Sequence, residues 1–362
     1  MTYARPKPTI AWIDVSKGVG IYLVVLGHAN INPRLQQFIY LFHMPLFFFL
    51  SGYLHIIKTD CGAFCRKKVI HLLLPYASFL LLLYPFELVR ILLHHRPGHP
   101  ITHAILAALW GGSKLQGLYG VFWFLPCLFL TQQLMNFMLA KFRLRTVIGL
   151  VSVALLLSYC NAQLMPWFNL PLNANVVLGA MPFFLMGLLA ARFRWDRRIS
   201  IAVSFTGAAI GVYLNHLSMP LFYDMRDGVY GIPGLSLILA ACCIGCMIFI
   251  SKAAARFMPI RKVLAGIGAS SVGIMFIHKV LPAVPHLNAP ALRHGYLATD
   301  VFVVISFAVT WLLGRATVTR AFLLGSERDF YNLFDSSVLV VRRNPPTGES
   351  ENLSGGRVNE MA

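Results

Sequence analysis

Charge is the scarcest commodity in this chain: Asp, Glu, Lys and Arg make up 12% of its 362 residues, against about 25% in soluble domains. That shortage excludes the ordinary soluble enzyme. With 57% apolar residues, a disordered chain is excluded as well. Acids are the rarest, 13 against 31 Lys plus Arg. No glycine-rich phosphate loop follows a strand, and no Ser or Cys sits in a strand-to-helix elbow. Nucleotide-fold chemistry and a covalent acyl-enzyme are therefore not expected. The seven cysteines fall mostly inside apolar runs, where Cys acts as a small hydrophobe. Cys242, Cys243 and Cys246 have no His or acid nearby, so neither a metal site nor a redox role is expected.

What the chain does have is long apolar runs. Ten are of membrane-spanning length, near 12–31, 38–57, 69–93, 118–139, 146–164, 175–193, 199–217, 231–250, 264–282 and 300–318. Residues 101–116 are moderately apolar and suit an interfacial or re-entrant segment. Lys and Arg are unevenly shared between alternate loops, 23 on one side and six on the other. The side rich in Lys and Arg is expected in the cytoplasm. The +18 net charge thus reads as membrane topology, and no nucleic-acid partner is expected. The expectation is an all-α integral membrane protein with about ten transmembrane helices, both termini cytoplasmic, in a bacterial inner membrane. Residues 1–325 form the transmembrane domain. Residues 326–362 form a polar, disordered cytoplasmic tail. Asp14 and Lys17 interrupt the first run, so it is not a cleaved signal peptide.

Ionisable groups inside spans are costly and point to function. In the first span, helical spacing puts Asp14, Lys17, Ile21, Val25 and His28 on one stripe. Lys17 and His28 are then separated by about three turns, ~16 Å of rise. Two readings stand: a functional stripe, or an interfacial Asp14–Lys17 pair with His28 reaching the far side. The second span puts His43 beside Pro45 in an aromatic run, Phe42 to Tyr53. Pro45 frees a backbone carbonyl and can widen a cavity. An imidazole is well suited to move a proton to or from a hydroxyl near neutral pH. In the ninth span Ser270, Ser271 and His278 are read either as packing residues or as site residues. Trp123 is read as an interface aromatic. His94, His95, His99 and His103 invite a metal, but Pro97 and Pro100 break the helix that such a site would need. Asp224, Arg226 and Asp227 form a dense charge cluster in an outer loop, able to hydrogen-bond a sugar or merely to be solvated.

The stretch Ile13-Asp14-Val15-Ser16-Lys17-Gly18 through Leu26-Gly27-His28, with Phe42-His43-Met44-Pro45-Leu46-Phe47-Phe48-Phe49-Leu50-Ser51-Gly52-Tyr53, resembles the membrane acyltransferase 3 family. It is most similar to the fucose 4-O-acetylase-like branch, with the character of xanthan-type exopolysaccharide O-acetyltransferases. Trp123-Phe124-Leu125 and the segment from Gly268 to His278 are looser matches. The family has a basic residue, ten intervening positions and then a first-span His, a pattern that Lys17 and His28 match. The resemblance implies that His28 is the essential base and that His43 corresponds to the second-span histidine of that branch. Before the third span the family has Arg-x-x-Arg, taken to meet the acyl donor. Here the matching positions are Lys68 and His71, a departure in which Arg66 and Lys67 can help.

The resemblance implies an O-acetyltransferase that uses acetyl-CoA as a substrate, with no permanently bound cofactor and no metal. Its acceptor would be a sugar hydroxyl, mannose by the same resemblance, of an exopolysaccharide or its lipid-linked repeat unit. Membrane lipids and other polysaccharide-assembly proteins are the remaining expected partners. The expected catalytic set is His28, His43 and Lys17, and the donor set is Arg66, Lys67, Lys68 and His71. The acceptor set is Asp14, Ser271, His278, Asp224 and Asp227. His43 or a span-nine Ser is expected to steady the oxyanion. Two other readings stand beside this one: a proton-coupled glycan transporter or flippase, and an assembly subunit without chemistry.

Overall fold

The computed structural model describes residues 10–93, 101–193, 196–284 and 295–334. Two helices at the centre carry most of the residues singled out above. The first, α1 (Ala11–His28), is rich in Val, Ile and Leu and ends at His28. Its partner α2 (Pro33–Tyr53) starts with Pro at its first position and an Asn32 side chain that accepts from the Arg34 N–H at 2.9 Å. Pro45 lies inside α2 without ending it.

A basic helix α3 (Cys61–Lys68) is capped by Asp60, whose side chain accepts from the Ala63 N–H at 2.9 Å. It runs through a π-helical turn, Val69–Leu73, into α4 (Leu74–Leu93). The shorter α5 (Ile101–Trp110) follows, then α6 (Phe124–Lys141), α7 (Leu144–Leu164), α8 (Val177–Arg192), α9 (Arg197–His216) and α10 (Leu235–Ala254). Next come α11 (Met258–Ala269) and α12 (Ser271–Ile277), which bend by 63° across the break between them. The chain continues through α13 (Gly295–Leu313), α14 (Thr317–Phe322) and α15 (Glu327–Phe334).

Among the described residues there is no strand, only an isolated bridge between Asp224 and Val229. Among the described residues seven helices are long and apolar enough to cross a membrane, and the α11–α12 pair makes eight if it is one bent span. Many outward side chains are large and apolar, such as Leu81, Phe86 and Leu156. These features make the chain a multi-pass, all-helical membrane protein. Neither α1 nor α2 is among the seven, although at 18 and 21 residues both have the length.

Small residues set how closely the helices approach. A Cβ at Gly18 would collide with the Leu264 carbonyl, and one at Gly268 with the Asp14 carbonyl, so α1 and α11 touch backbone to backbone. Gly52 and Gly187 make the same reciprocal contact between α2 and α8, against the Phe184 and Phe49 carbonyls. This is the close approach that small residues permit between membrane helices. In the ninth run Gly268 makes this contact.

Residues 326–334, the start of the expected polar tail, hold a short helix. Arg320 makes a two-pronged pair with Asp329 at 2.8 and 2.9 Å, and Ser326 Oγ donates to the same carboxylate at 2.6 Å. The guanidinium holds the Asp329 carboxyl down at about 2. Residues 335–362 lie outside the described residues, as do His94, His95 and His99. Among the described residues no group of three or more His, Cys, Asp or Glu could hold a metal ion.

Candidate functional site

Two cavities lie along α1. One, about 560 Å³, is lined by Lys17, Ile21 and Val24 of α1, and by Met44, Phe47, Leu50 and Ser51 of α2. Cations ring it: Lys17, Lys58, Lys67 and Lys68. The other, about 190 Å³, holds His28, Tyr40, His43, Trp123, Asp224, Arg226, Asp227 and Lys279. Val24, Met44 and Met275 line both, so only an apolar partition separates them. The stripe on α1 is therefore Lys17, Ile21, Val24 and His28. Val25 instead turns into the core, 2% exposed.

His28 is half-buried in the smaller cavity, with Nδ1 3.3 Å from the Tyr40 hydroxyl. The His278 ring stacks on it at 5.5 Å between centroids, 19° from parallel. His43 lies against Tyr40 at 5.0 Å. His43 and His278 are buried, and each places Nδ1 on a backbone carbonyl one turn earlier, Ile39 at 2.8 Å and Ile274 at 2.9 Å. A carbonyl only accepts, so Nδ1 carries the hydrogen in both rings, and a neutral ring then keeps a bare lone pair on Nε2. His278 Nε2 is buried without a partner. A neutral His43 in this tautomer offers Nε2 as an acceptor. Ser271 lines the basic cavity and not the histidine cavity. The cationic donors facing His28 are Lys279 and Arg226.

Backbone hydrogen bonds hold the loop that carries Asp224, Arg226 and Asp227 at the histidine cavity. Asp224 and Val229 exchange backbone hydrogen bonds at 2.8 and 2.9 Å, and Gly228 turns the chain at φ 68°. The Tyr223 N–H donates to the Tyr40 carbonyl at 3.3 Å. That carbonyl lies next to Leu41's, whose helical donor would be the N–H that Pro45 lacks. The Arg226 carbonyl accepts from Asn173 Nδ2 at 2.9 Å. Asp224 Oδ1 accepts from the Arg226 and Asp227 N–H groups at 3.1 and 3.4 Å. Burial, with the Asp227 charge beside it, pushes the Asp224 carboxyl up to about 6.

The remaining expected residues are placed as follows. Asp14 lines neither cavity and pairs with Lys17 at 3.2 Å. Lys67 and Lys68 reach the basic cavity, while Arg66 does not. His71 is also outside it: Nδ1 lies 2.7 Å from the Gly325 carbonyl and Nε2 3.5 Å from Glu327. Sequence reasoning passed over Tyr40, Lys279 and the site role of Trp123. It also passed over Gln132, buried at the basic cavity with Nε2 donating to Ser51 Oγ at 2.7 Å and Oε1 unpartnered. Tyr40 could have been found, since it lies one turn before His43.

Comparison with known proteins adds the following. A family described as an acyltransferase domain, Acyl_transf_3, matches residues 10–318, which include both cavities. Nodulation protein NolL of Sinorhizobium fredii (strain NBRC 101917 / NGR234) is 31% identical over 200 residues, 49% of this chain and 48% of that protein. The chain thus spans about half the length of the curated relative that it matches. No solved structure matches the chain.

Proposed function

Since the chain belongs to the acyltransferase 3 family, we propose that it moves an acetyl group from cytoplasmic acetyl-CoA across the membrane to a sugar hydroxyl. The observation that carries this reading is the pair of cavities meeting at Val24, Met44 and Met275, one ringed by lysines and the other lined by histidine, tyrosine and carboxylates. A polyanionic coenzyme suits the first, with Lys67 and Lys68 at its phosphates and the thin thioester arm running along α1 past the partition. A sugar suits the second, where carboxylates accept from hydroxyls and Trp123 offers an apolar face.

In this reading His28 Nδ1–H donates to the Tyr40 oxygen, leaving Nε2 free to act as base. Nε2 takes the proton of the sugar hydroxyl as its oxygen attacks the thioester carbonyl. A new C–O bond forms, and the developing oxyanion faces Lys279 and Arg226. The C–S bond then breaks, and the leaving thiolate takes the proton back from the imidazolium. His278 stacks on the His28 ring, and His43 packs on Tyr40, the residue that orients it.

The topology that goes with this reading has ten spans: the seven apolar helices, the bent α11–α12 pair, and α1 with α2. Both termini are then cytoplasmic, in a bacterial inner membrane. The finer placement, an exopolysaccharide or lipid-linked acceptor as in the fucose 4-O-acetylase-like branch, rests on the Phe42–Tyr53 motif. The test is transfer of labelled acetyl from acetyl-CoA to the surface glycans of a gene-deleted host, supplied with wild-type or His28→Ala protein. Loss of a general base lowers such a rate by about 10²–10⁴-fold. Wild-type transfer by a normally inserted His28→Ala protein would end the proposal. Glycan export without acetyl incorporation would instead favour a transporter.

A further inference from the structure

Outside the site just described, two grooves meet on the outer surface where α8, α9 and α10 end. They measure about 720 and 410 Å³ and share Arg197, Phe249 and Lys252. Arg256 joins the first, and its walls include Phe205; Phe193 lies in the second. Arg197 opens α9 and Lys252 lies in the last turn of α10, so the cations sit together at one end. From Arg197 the wall runs to Phe205, eight residues along α9 and about 12 Å deeper towards the middle of the bundle. Phe193 and Phe205 are exposed.

None of these three cations, Arg197, Lys252 and Arg256, is in an ion pair among the described residues. The Lys252 ammonium instead lies over aromatic rings, 5.0 Å from the Trp12 centroid and 5.8 Å from that of Phe249. A cation cluster at the helix ends, continuous with a two-lobed apolar groove running inward, has the charge and shape of a phospholipid in reverse. We propose that this groove binds an anionic phospholipid. Its phosphate lies between Arg197 and Lys252, with Arg256 at the edge, and its two acyl chains lie in the two lobes. Zwitterionic headgroups bring a cation of their own to the same place and fit it less well. The back of α2, through Tyr53, lines the second groove, so a bound lipid would press on the helix that carries His43.

The test is native mass spectrometry of the full chain in detergent, titrated separately with phosphatidylglycerol and phosphatidylcholine. Wild-type protein is expected to retain phosphatidylglycerol selectively. The Arg197→Gln/Lys252→Gln double variant is expected to bind it ~25-fold less well, about fivefold per lost cation. An Arg143→Gln/Arg145→Gln variant, which removes as many charges at the start of α7, is expected to keep wild-type binding. Equal retention of the two lipids by wild-type protein would overturn the proposal. So would equal loss in both double variants, or displacement of phosphatidylglycerol by millimolar inorganic phosphate. The selectivity arm needs no variant, so a misfolded double variant leaves the proposal open to refutation.

Discussion

Replacing Glu327 by Gln is expected to tighten donor binding. Glu327 Oε2 lies 2.8 Å from Lys67 Nζ, so a carboxylate of α15 occupies the cation that the proposed coenzyme needs. The two side chains are 30 and 51% exposed, and a pair that wet contributes about 0–1 kcal/mol. Removing the carboxylate therefore lowers KM for acetyl-CoA by up to about fivefold. Lys67 would touch the donor equally in the ground and transition states, so kcat should not change. The gain should fade in ~1 M salt, where the screening length is about 3 Å. The segment should stay docked, because the Gly325 carbonyl still holds His71 and the Arg320–Asp329 pair is untouched. The assay is initial-rate acetyl transfer in proteoliposomes across a salt series, with thermal unfolding measured alongside. Lys67→Gln should raise KM, and adding Glu327→Gln to it should give no further change. A low-salt KM that stays level or rises in a well-folded Glu327→Gln protein would refute the reasoning.

Three further outcomes are expected. Asp224, pushed up to about 6 by burial, accepts more strongly from a sugar hydroxyl when ionised than when protonated. Acceptor affinity should therefore fall as pH drops through about 6, levelling off about tenfold lower, and the inflection should vanish in Asp224→Asn. The same raised carboxyl binds its proton more tightly folded than unfolded, so its ionisation costs stability as pH climbs from 3.8 through about 6. Asp224→Asn should be the more stable protein above that window, by thermal unfolding at pH 5 and 7.5. Gly187→Ala would drive a methyl into the Phe49 carbonyl and should cost about 1–3 kcal/mol. Gly149→Ala, with nothing within 4 Å, should be neutral or slightly stabilising in the same unfolding experiment.

How much of this could be read from the sequence depends on which force sets each feature. Hydropathy reports burial in lipid, so α7, α9, α10 and α13 come out within a few residues of the runs expected for them. A pattern of apolar residues says nothing of a bend, and the ninth run breaks by 63° between Ala269 and Ser271. Partner choice is hidden for a further reason. That Glu327 reaches Lys67 and His71 follows from chain return over more than 250 residues, which no local pattern encodes. The histidine tautomers come from backbone carbonyls, and the sequence shows only that a His is present.

The same reasoning explains why the two most informative helices are the two that fail a purely apolar test. α1 carries Asp14, Lys17 and His28, while α2 carries Gln36, Gln37, His43 and Ser51. Each of those groups lowers the hydropathy of the helix that carries it and would cost free energy against lipid. The helices can carry them because they stand at the centre of the bundle. α1 is packed by α2, α10, α11, α12 and α13, and α2 by α6, α8, α9 and α10. Their polar groups therefore meet cavities and one another instead of lipid, as Lys17 does with Asp14 and His28 with Tyr40. The reciprocal glycines at Gly18/Gly268 and Gly52/Gly187 hold these helices against their neighbours at backbone distance. That rigid contact fixes the partition of Val24, Met44 and Met275 between the cavities. A weak hydrophobic signal over a span of sufficient length, coupled to small residues at its helix contacts, is thus what an intramembrane site requires of its own helices.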